Sequence, residues 1–479
     1  MTTARDKLQY AGDYTIEKLK IHTIKGFFDL SNTMVQLDLF ENIFSHAISG
    51  SLVFVDTDNI LINCPIVGQE YLELKISSPG ISGTDAIDFS ENVLSVYKIG
   101  YVNDISKGGQ MVELHLISPE FLKNQRLRVS KFYEEQSTDQ IIEDLLTNTE
   151  YIDTKKDIFL NSTKGSRNIL SPNFHPFDLI KNITTESNDE LSSNGEVNFH
   201  LFFENTKGYH FKSLSYLYGQ PTNNDFHVGD IGTIDKTKKE LDSLERVISH
   251  ERVNSNDMLQ NIVSGLLGST LTVHDIYNKK YDTYTYNYFD SYDQKFPRIH
   301  RERSNPVYFN DIIDSKNRTV GDFENSRIHL MSRSGDTKNK FYSSSSSTDS
   351  GGDISSISNG SNLLARRAKF AELTGMINYN IKVTGHTSMR VGETINFFVP
   401  TVGNPHGQGR IDKYLTGVYL VKQLRHSFYR SPKKHEVAMS ISKDSLYSSL
   451  GRGDIEEPKR TGNAFVTRLL SSGGDYGGM

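Results

Sequence analysis

The chain has very little cysteine. A single residue, Cys64, stands among 479, so no intrachain disulfide framework and no cysteine-based metal cluster is available to it. Tryptophan is absent, which by itself excludes nothing. No apolar run approaches the ~20 residues that a membrane-spanning helix requires. The first twenty residues, MTTARDKLQYAGDYTIEKLK, lack the apolar core of a secretory leader, so synthesis and retention in the cytosol are expected. A strongly basic surface is also missing. Net charge is -6, which argues against nucleic-acid binding through phosphate contacts. Also missing are the phosphate-binding loop, the dinucleotide fingerprint, the nucleophile elbow and the HExxH zinc motif.

What is present is patterned β-structure. VQLDL sets Val35, Leu37 and Leu39 on one face and Gln36 and Asp38 on the wetter one. YLELKI does the same with Leu72, Leu74 and Ile76, and MVELHL with Val112, Leu114 and Leu116. Alternation of period two marks strands with one buried face, as in antiparallel sheets or barrels. Residues 41–76 read as two strands around a turn, the first of which, SLVFV, is apolar on both faces and belongs in the middle of a sheet.

Helical signals begin near residue 136. Ser137 and Gln140 have capping-box spacing, followed by the stripe Ile141, Ile142, Leu145 and Leu146. Pro176 stands just inside a second helix start, with Phe177, Ile180 and Ile183 as its buried stripe. Strands return in EVNFHLFFENTKGYHFKSL and around VSGLLGSTLTVHDIYNKKYDTYTYNYFD, where Tyr284, Tyr286 and Tyr288 alternate. Residues 332–361 are rich in serine and glycine and read as a linker. LLARRAKFAELTG then reads as a helix whose flank of Ala368, Ala371 and Gly375 suits close packing, and INYNIKVTG, LTGVYLVKQLRHSF and EVAMSISKD read as strands.

Candidate chemistry is sparse. The 15 histidines show no i, i+4 pair on an evident helix, and GNPHGQGR at 403–410 joins strands without opening a helix. Glu143–Asp144 and Glu456–Glu457 are adjacent in sequence and do not face a common point. GRGD at 451–454 and the sequons NST, NIT and NRT have no expected context in a cytosolic chain. An aromatic stacking platform at 277–292 is opposed by its acidic neighbours, among them Asp275, Asp282 and Asp290. No catalytic, cofactor or metal residues are assigned, and no enzyme activity is expected.

ISGSLVFVDTDNILINCPIVGQEYLELKI resembles the first tube-type domain of the baseplate central hub proteins of contractile-tailed phages, through Gly50, Asp56, Leu61, Pro65, Ile66, Gly68 and Glu70. STLTVHDIYNKKYDTYTYNYFDSY resembles the first hairpin of that family's second tube-type domain, with Asp275 and Tyr288. The segments around Gly392 and around Gly417, Tyr419, His426 and Phe428 resemble its continuation, a pattern shared with type VI secretion spike proteins and late tail proteins of long-tailed phages.

The resemblance implies an α+β, predominantly β fold: two tube-type antiparallel barrel or sheet domains with helical and loop insertions. The expected division is 1–130 for the first tube-type domain and 131–244 for a mixed insertion. The second tube-type domain would take 245–295 and 376–447, with 296–375 inserted and 448–479 as a tail. It further implies a structural hub in the virion tail baseplate, synthesised in the host cytoplasm. That hub is a homotrimeric ring joining the sixfold tail tube to the threefold central spike and lining a DNA channel. Its partners would be copies of itself, the spike, the tube protein, and tape-measure and other baseplate proteins, with no sequence-specific nucleic-acid binding. An acidic to neutral interior would let DNA pass. The alternatives are the hub of a bacterial contractile injection system, or a host-binding or carbohydrate-active protein on a β-scaffold.

Overall fold

The computed structural model describes residues 10–57, 59–80, 85–106, 108–185, 187, 198–229, 244–254, 257–275, 279–292, 298–300, 302–303, 318, 320–333, 357–401 and 411–448. GNPHGQGR, the centre of the serine-rich stretch and the tail after residue 448 lie outside them. The serine-rich stretch is shortened at both ends: Ile328–Arg333 is a strand and Ile357–Gly375 a helix.

One 13-stranded sheet dominates. Its strands, numbered among themselves, are β1 (Thr15–Thr23), β2 (Gly26–Asp29), β3 (Met34–Asn42), β4 (Ser49–Asp56), β5 (Tyr71–Ser77), β6 (Ile87–Ser106) and β7 (Gly109–Ile117) from the first half. The second half adds β8 (Thr222–His227), β9 (Val247–Asn254), β10 (Ile377–Thr384), β11 (Thr394–Phe398), β12 (Gly417–Arg430) and β13 (Lys433–Lys443). The order is β9-β10-β13-β12-β3-β4-β7-β6-β5-β1-β2, with β11 on β12 and β8 on β11. The fold is α+β and predominantly β. The sheet is open, with β9 at one end and β2 at the other, and no closed barrel forms among the described residues.

The order holds a repeat. In the first half β3-β4-β7-β6-β5 pair in sequence, and in the second half β9-β10-β13-β12-β11 pair in the same sequence, antiparallel at every step. Both halves carry a ladder shift at the same place, between Val96 and Lys98 in β6 and between Val421 and Gln423 in β12. Each half has its own core: Leu37, Leu52, Leu72, Leu94 and Leu114 in the first, and Tyr379, Ile395, Phe397, Tyr419 and Ile441 in the second. Alternation places Leu72, Leu74, Ile76, Val112, Leu114 and Leu116 fully inside, as expected.

Several expectations change. The two strands of 41–76 are not neighbours, because β7 and β6 lie between β4 and β5. Their connection is a short helix, α1 (Ile60–Asn63), and a clamped turn. Val35 is half-exposed rather than inside, since the register shifts between Met34 and Gln36. Asp38, expected on the wetter face, is buried at 8% exposure. Tyr288 opens a helical turn, Tyr288–Ser291, instead of continuing the strand, and Met258–Ser264 is helical. The strands Gly268–Asp275 and Lys280–Asn287 do form a hairpin, but with Ile328–Arg333 they make a separate three-stranded sheet. This small sheet packs on Ile357–Gly375 through Leu271, Tyr286, Leu364 and Ala368. Gly375 has open space where a side chain would stand, so close packing does not account for it.

The helix Thr138–Thr147 carries its capping box, and its stripe Ile141, Ile142, Leu145 and Leu146 is fully buried. With Pro176–Thr184 it encloses a third core around Phe177, Tyr209 and Phe211. The strand His200–Asn205 is buried at every position, giving Phe202 to this core and, with the preceding Phe199, Leu201 and Phe203 to that of the second half. The inserted segment is thereby fused to the second half, and β8 carries it into the main sheet.

Candidate functional site

The residues singled out between 50 and 70 build a turn. Asp56, at the end of β4, accepts from the backbone N–H of Ile60 at 2.8 Å and of Leu61 at 3.1 Å, satisfying the donors at the start of α1. Glu70 accepts from the N–H groups of Val67, Gly68 and Gln69 at 2.8–3.0 Å. Gly68 has φ 86° and lies against the carbonyl of Tyr97. Ile66 and Leu61 face the first core, while Pro65 is exposed. The carboxylates here hold backbone and leave no open acid–base pair.

Gly50 lies within β4 at the crossing with β3, where an added Cβ would stand 2.7 Å from the Asp38 carbonyl oxygen. Gly50→Val is expected to force β3 and β4 apart and lower stability by about 1–3 kcal/mol. A thermal melt compared with wild type checks this, and an unchanged midpoint would show that the backbone yields without cost.

The two halves meet where β12 pairs with β3, from Gln423 opposite Asn42 to Tyr429 opposite Gln36. This junction explains the burial of Asp38: its carboxylate accepts from Ser427 Oγ at 2.6 Å and from Gln36 Nε2 at 2.6 Å. Glu41, also in β3, is fully enclosed and accepts from Val391 N at 3.0 Å and Thr206 N at 3.1 Å. Burial pushes its carboxyl up to about 7, against those two hydrogen bonds and the nearby Arg390.

His426 and Phe428 lie at the same junction. His426 Nε2 meets the Met389 carbonyl at 3.1 Å, so this nitrogen must carry the proton. Its Nδ1 then accepts from His435 Nε2 at 3.0 Å. The His435 ring stacks on Phe428 at 4.1 Å between centroids, and Phe428 meets Tyr14 edge-on at 5.2 Å. Burial lowers His426 to about 3 and holds His435 well below the ordinary histidine range.

The other marked positions are spread through the second half. Gly392, at φ 81°, packs against Phe203, and Gly417, at φ 143°, against His300. Tyr419 is buried, with its hydroxyl on the Leu415 carbonyl. Tyr288 donates to Glu372 at 3.3 Å. Asp275 ends its strand opposite Lys280. Only His426 and Phe428 reach the junction, and the fourteen positions do not converge on one pocket.

Sequence reasoning did not find the buried ion pairs. Lys156 lies between Glu204 at 2.6 Å and Glu120 at 2.7 Å, and Glu204 also accepts from Ser118 Oγ and from the Ile48 N–H, both at 2.9 Å. This network fastens the inserted segment to the first half. Lys369 likewise binds Glu372 and Asp444, with Arg298 on Glu372 at 2.8 Å. Apart from Lys369 and Glu372, which stand three residues apart on one helix, these partners come from distant parts of the chain, so local spacing does not announce them. Among the described residues no group of three His, Cys, Asp or Glu side chains is disposed to hold a metal ion.

The face of the sheet turned away from both cores is polar. Three of its cations are paired: Lys18 with Glu73 at 2.8 Å, Lys75 with Asp88 at 3.0 Å, Lys382 with Glu436 at 2.7 Å. A concave depression of about 650 Å³ crosses it at the junction, lined by Phe40, Glu251, Lys382 and Arg425 among others.

No protein-family model matches the sequence, and no curated protein does. Among solved structures, the chain is similar to a tail protein from Neisseria meningitidis over 91% of this chain and 98% of that one, with 10% identity and a TM-score of 0.50. It is similar to the 43 kDa tail protein of prophage MuSo2 from Shewanella oneidensis over 90% and 99%, with 9% identity and a TM-score of 0.50. An E. coli component of the type VI secretion system, itself described as similar to T4 bacteriophage tail proteins gp27 and gp5, aligns over 89% of this chain and 77% of that one, with 10% identity and a TM-score of 0.43. The first two likenesses establish a shared fold.

Proposed function

We propose that the chain is a structural tail protein, the hub of a contractile phage tail, and that three copies form a ring between a sixfold tube and a threefold spike. The observation that carries this is the repeat. Two equivalent sets of five strands, joined edge to edge in one sheet, give each chain two similar wall segments, so three chains supply six. A head-to-tail contact that repeats by rotation closes into such a ring. The two tail proteins of the same fold support the assignment to a tail, and the role is structural rather than enzymatic.

In this reading the polar sheet face lines the channel. Three of its lysines, Lys18, Lys75 and Lys382, are engaged by carboxylates, which weakens their hold on DNA phosphates and favours passage over binding. The spike, the tube protein and the tape-measure protein remain the proposed partners, and the virion tail baseplate the proposed location. The mass of the purified protein, by light scattering behind a sizing column, is expected at three times 54.2 kDa. A species that stays at 54.2 kDa even with tube and spike chains added would overturn the ring.

A further inference from the structure

The repeat leaves one position unfilled. β12 is longer than its hairpin partner requires, and one of its edges takes two strands in succession: β11 at Gly417–Leu420 and then β3 at Gln423–Tyr429. Its equivalent, β6, takes β5 on the matching edge, from Ile87 to Ser95. Leu420 and Ser95 each pair on both sides, which fixes which edge is which. Beyond Ser95 no strand covers that edge of β6 among the described residues, although β6 continues to Ser106. The strand equivalent to β3 is β9, and its outer edge is likewise uncovered among the described residues.

We propose that β9 of one copy adds antiparallel to the 98–105 edge of β6 in the next copy, repeating between chains the β12·β3 junction made within each chain. This deepens the ring reading and rests on it. Besides the shared ladder shift, β6 carries shifts between Ile99 and Val102 and between Asp104 and Ser106 that β12 lacks, so the register is read from the pairs at Val102 and Asp104, between those two shifts. Leu116 and Ile441 correspond, so Val102 corresponds to His426 and Asp104 to Phe428. Through β4 and β10, Leu37 corresponds to His250 and Leu39 to Arg252. Since Phe428 faces Leu37 and His426 faces Leu39, Asp104 should face His250, and Val102 should face Arg252.

The side chains agree with this register. Asp104 meets an imidazole, and Asn103 meets Glu251, as Ser427 meets Asp38 within the chain. Both edges also expose apolar surface that an isolated chain would leave wet. Tyr97, Tyr101, Val102 and Ile105 of β6 are 36–50% exposed, and Ile248 and Val253 of β9 are 53% and 47% exposed. An open edge with unpaired backbone donors and acceptors is a template for strand addition. The copies differ in which edge they offer, so the contact is head-to-tail and can close.

The test is a cross-link. Val102→Cys and Arg252→Cys are placed in one chain, with Val102→Cys/Ile248→Cys as the off-register control. Seven strand steps separate β6 from β9, roughly 34 Å at the usual spacing, so a disulfide between them must join two copies. Cys64 is buried at 3% exposure and does not compete. On a non-reducing gel the first variant should give dimer and trimer bands, ending at trimer, that collapse with reductant, and the control should give several-fold less. A trimer by light scattering that fails to cross-link in register would overturn the strand pairing while the ring stands. A chain that stays monomeric with tube and spike proteins present would overturn both. Asp104→Arg gives an independent reading: the trimer should dissociate at concentrations where wild type holds, and retention of the trimer would count against the pairing.

Discussion

Replacing Lys156 with methionine is expected to destabilise the protein by about 3–5 kcal/mol. The substitution keeps the volume of the aliphatic stem and removes only the ammonium. Glu204 and Glu120, 1% and 4% exposed, would then face each other in a site closed to water. Neither carboxylate has room to reach solvent, and the hydrogen bonds from Ser118 and Ile48 cannot replace a full cation. Burial already raises Glu204 above the ordinary carboxylate range with Lys156 present. The denaturant midpoint of the variant should therefore fall well below that of wild type at pH 7. Lys156→Met/Glu204→Gln should recover part of the loss by removing one of the stranded charges. An unchanged midpoint in the single variant would show that the network is open to water.

Acidification is expected to produce the second large effect, a loss of stability between pH 6.5 and pH 4. Burial holds His46, His300 and His386 down to about 4, and His210 and His426 down to about 3, each with burial as the first cause. A histidine whose folded pKa lies below its unfolded value binds protons more tightly when the chain is unfolded. Its contribution is complete above about 6.5 and is lost as pH falls toward the folded pKa. For the well-buried His386 and His426 the loss at pH 5 is about 2 kcal/mol each. Glu41 acts in the opposite sense, since its raised carboxyl costs stability above about 4.5 and gains it back as pH falls from about 7. Burial raises Glu204 and Glu393 as well, and these three carboxylates do not offset the five histidines. Thermal midpoints from pH 7 to pH 4.5 should fall, with a shallower slope in His426→Gln, and a flat profile would mean that these rings reach water.

How much of this was written in local sequence depends on the range of the contacts. Leu72, Leu74, Ile76, Val112, Leu114 and Leu116 were placed correctly by alternation alone, because each strand has one face on the core of its own half. Ser137, Gln140 and Pro176 marked helix starts through chemistry confined to a few residues. Asp38 was misread as wet because the strand that covers it, β12, lies nearly 400 residues away. Tyr288 fits a strand by spacing, but the Asn287 side chain caps the Phe289 N–H and turns the chain into a helical turn. The histidine pair had no sequence signal either. His426 and His435 stand nine residues apart across a hairpin, and only the register of β12 on β13 brings them together.

Averaged electron-microscope images of the particle seen end-on test the threefold ring most directly. A ring of six lobes with threefold symmetry is expected, alternate lobes differing because one carries the 131–244 insertion and its neighbour does not. A ring with another number of lobes, or an asymmetric monomer at every concentration and with the tube and spike chains present, would contradict it.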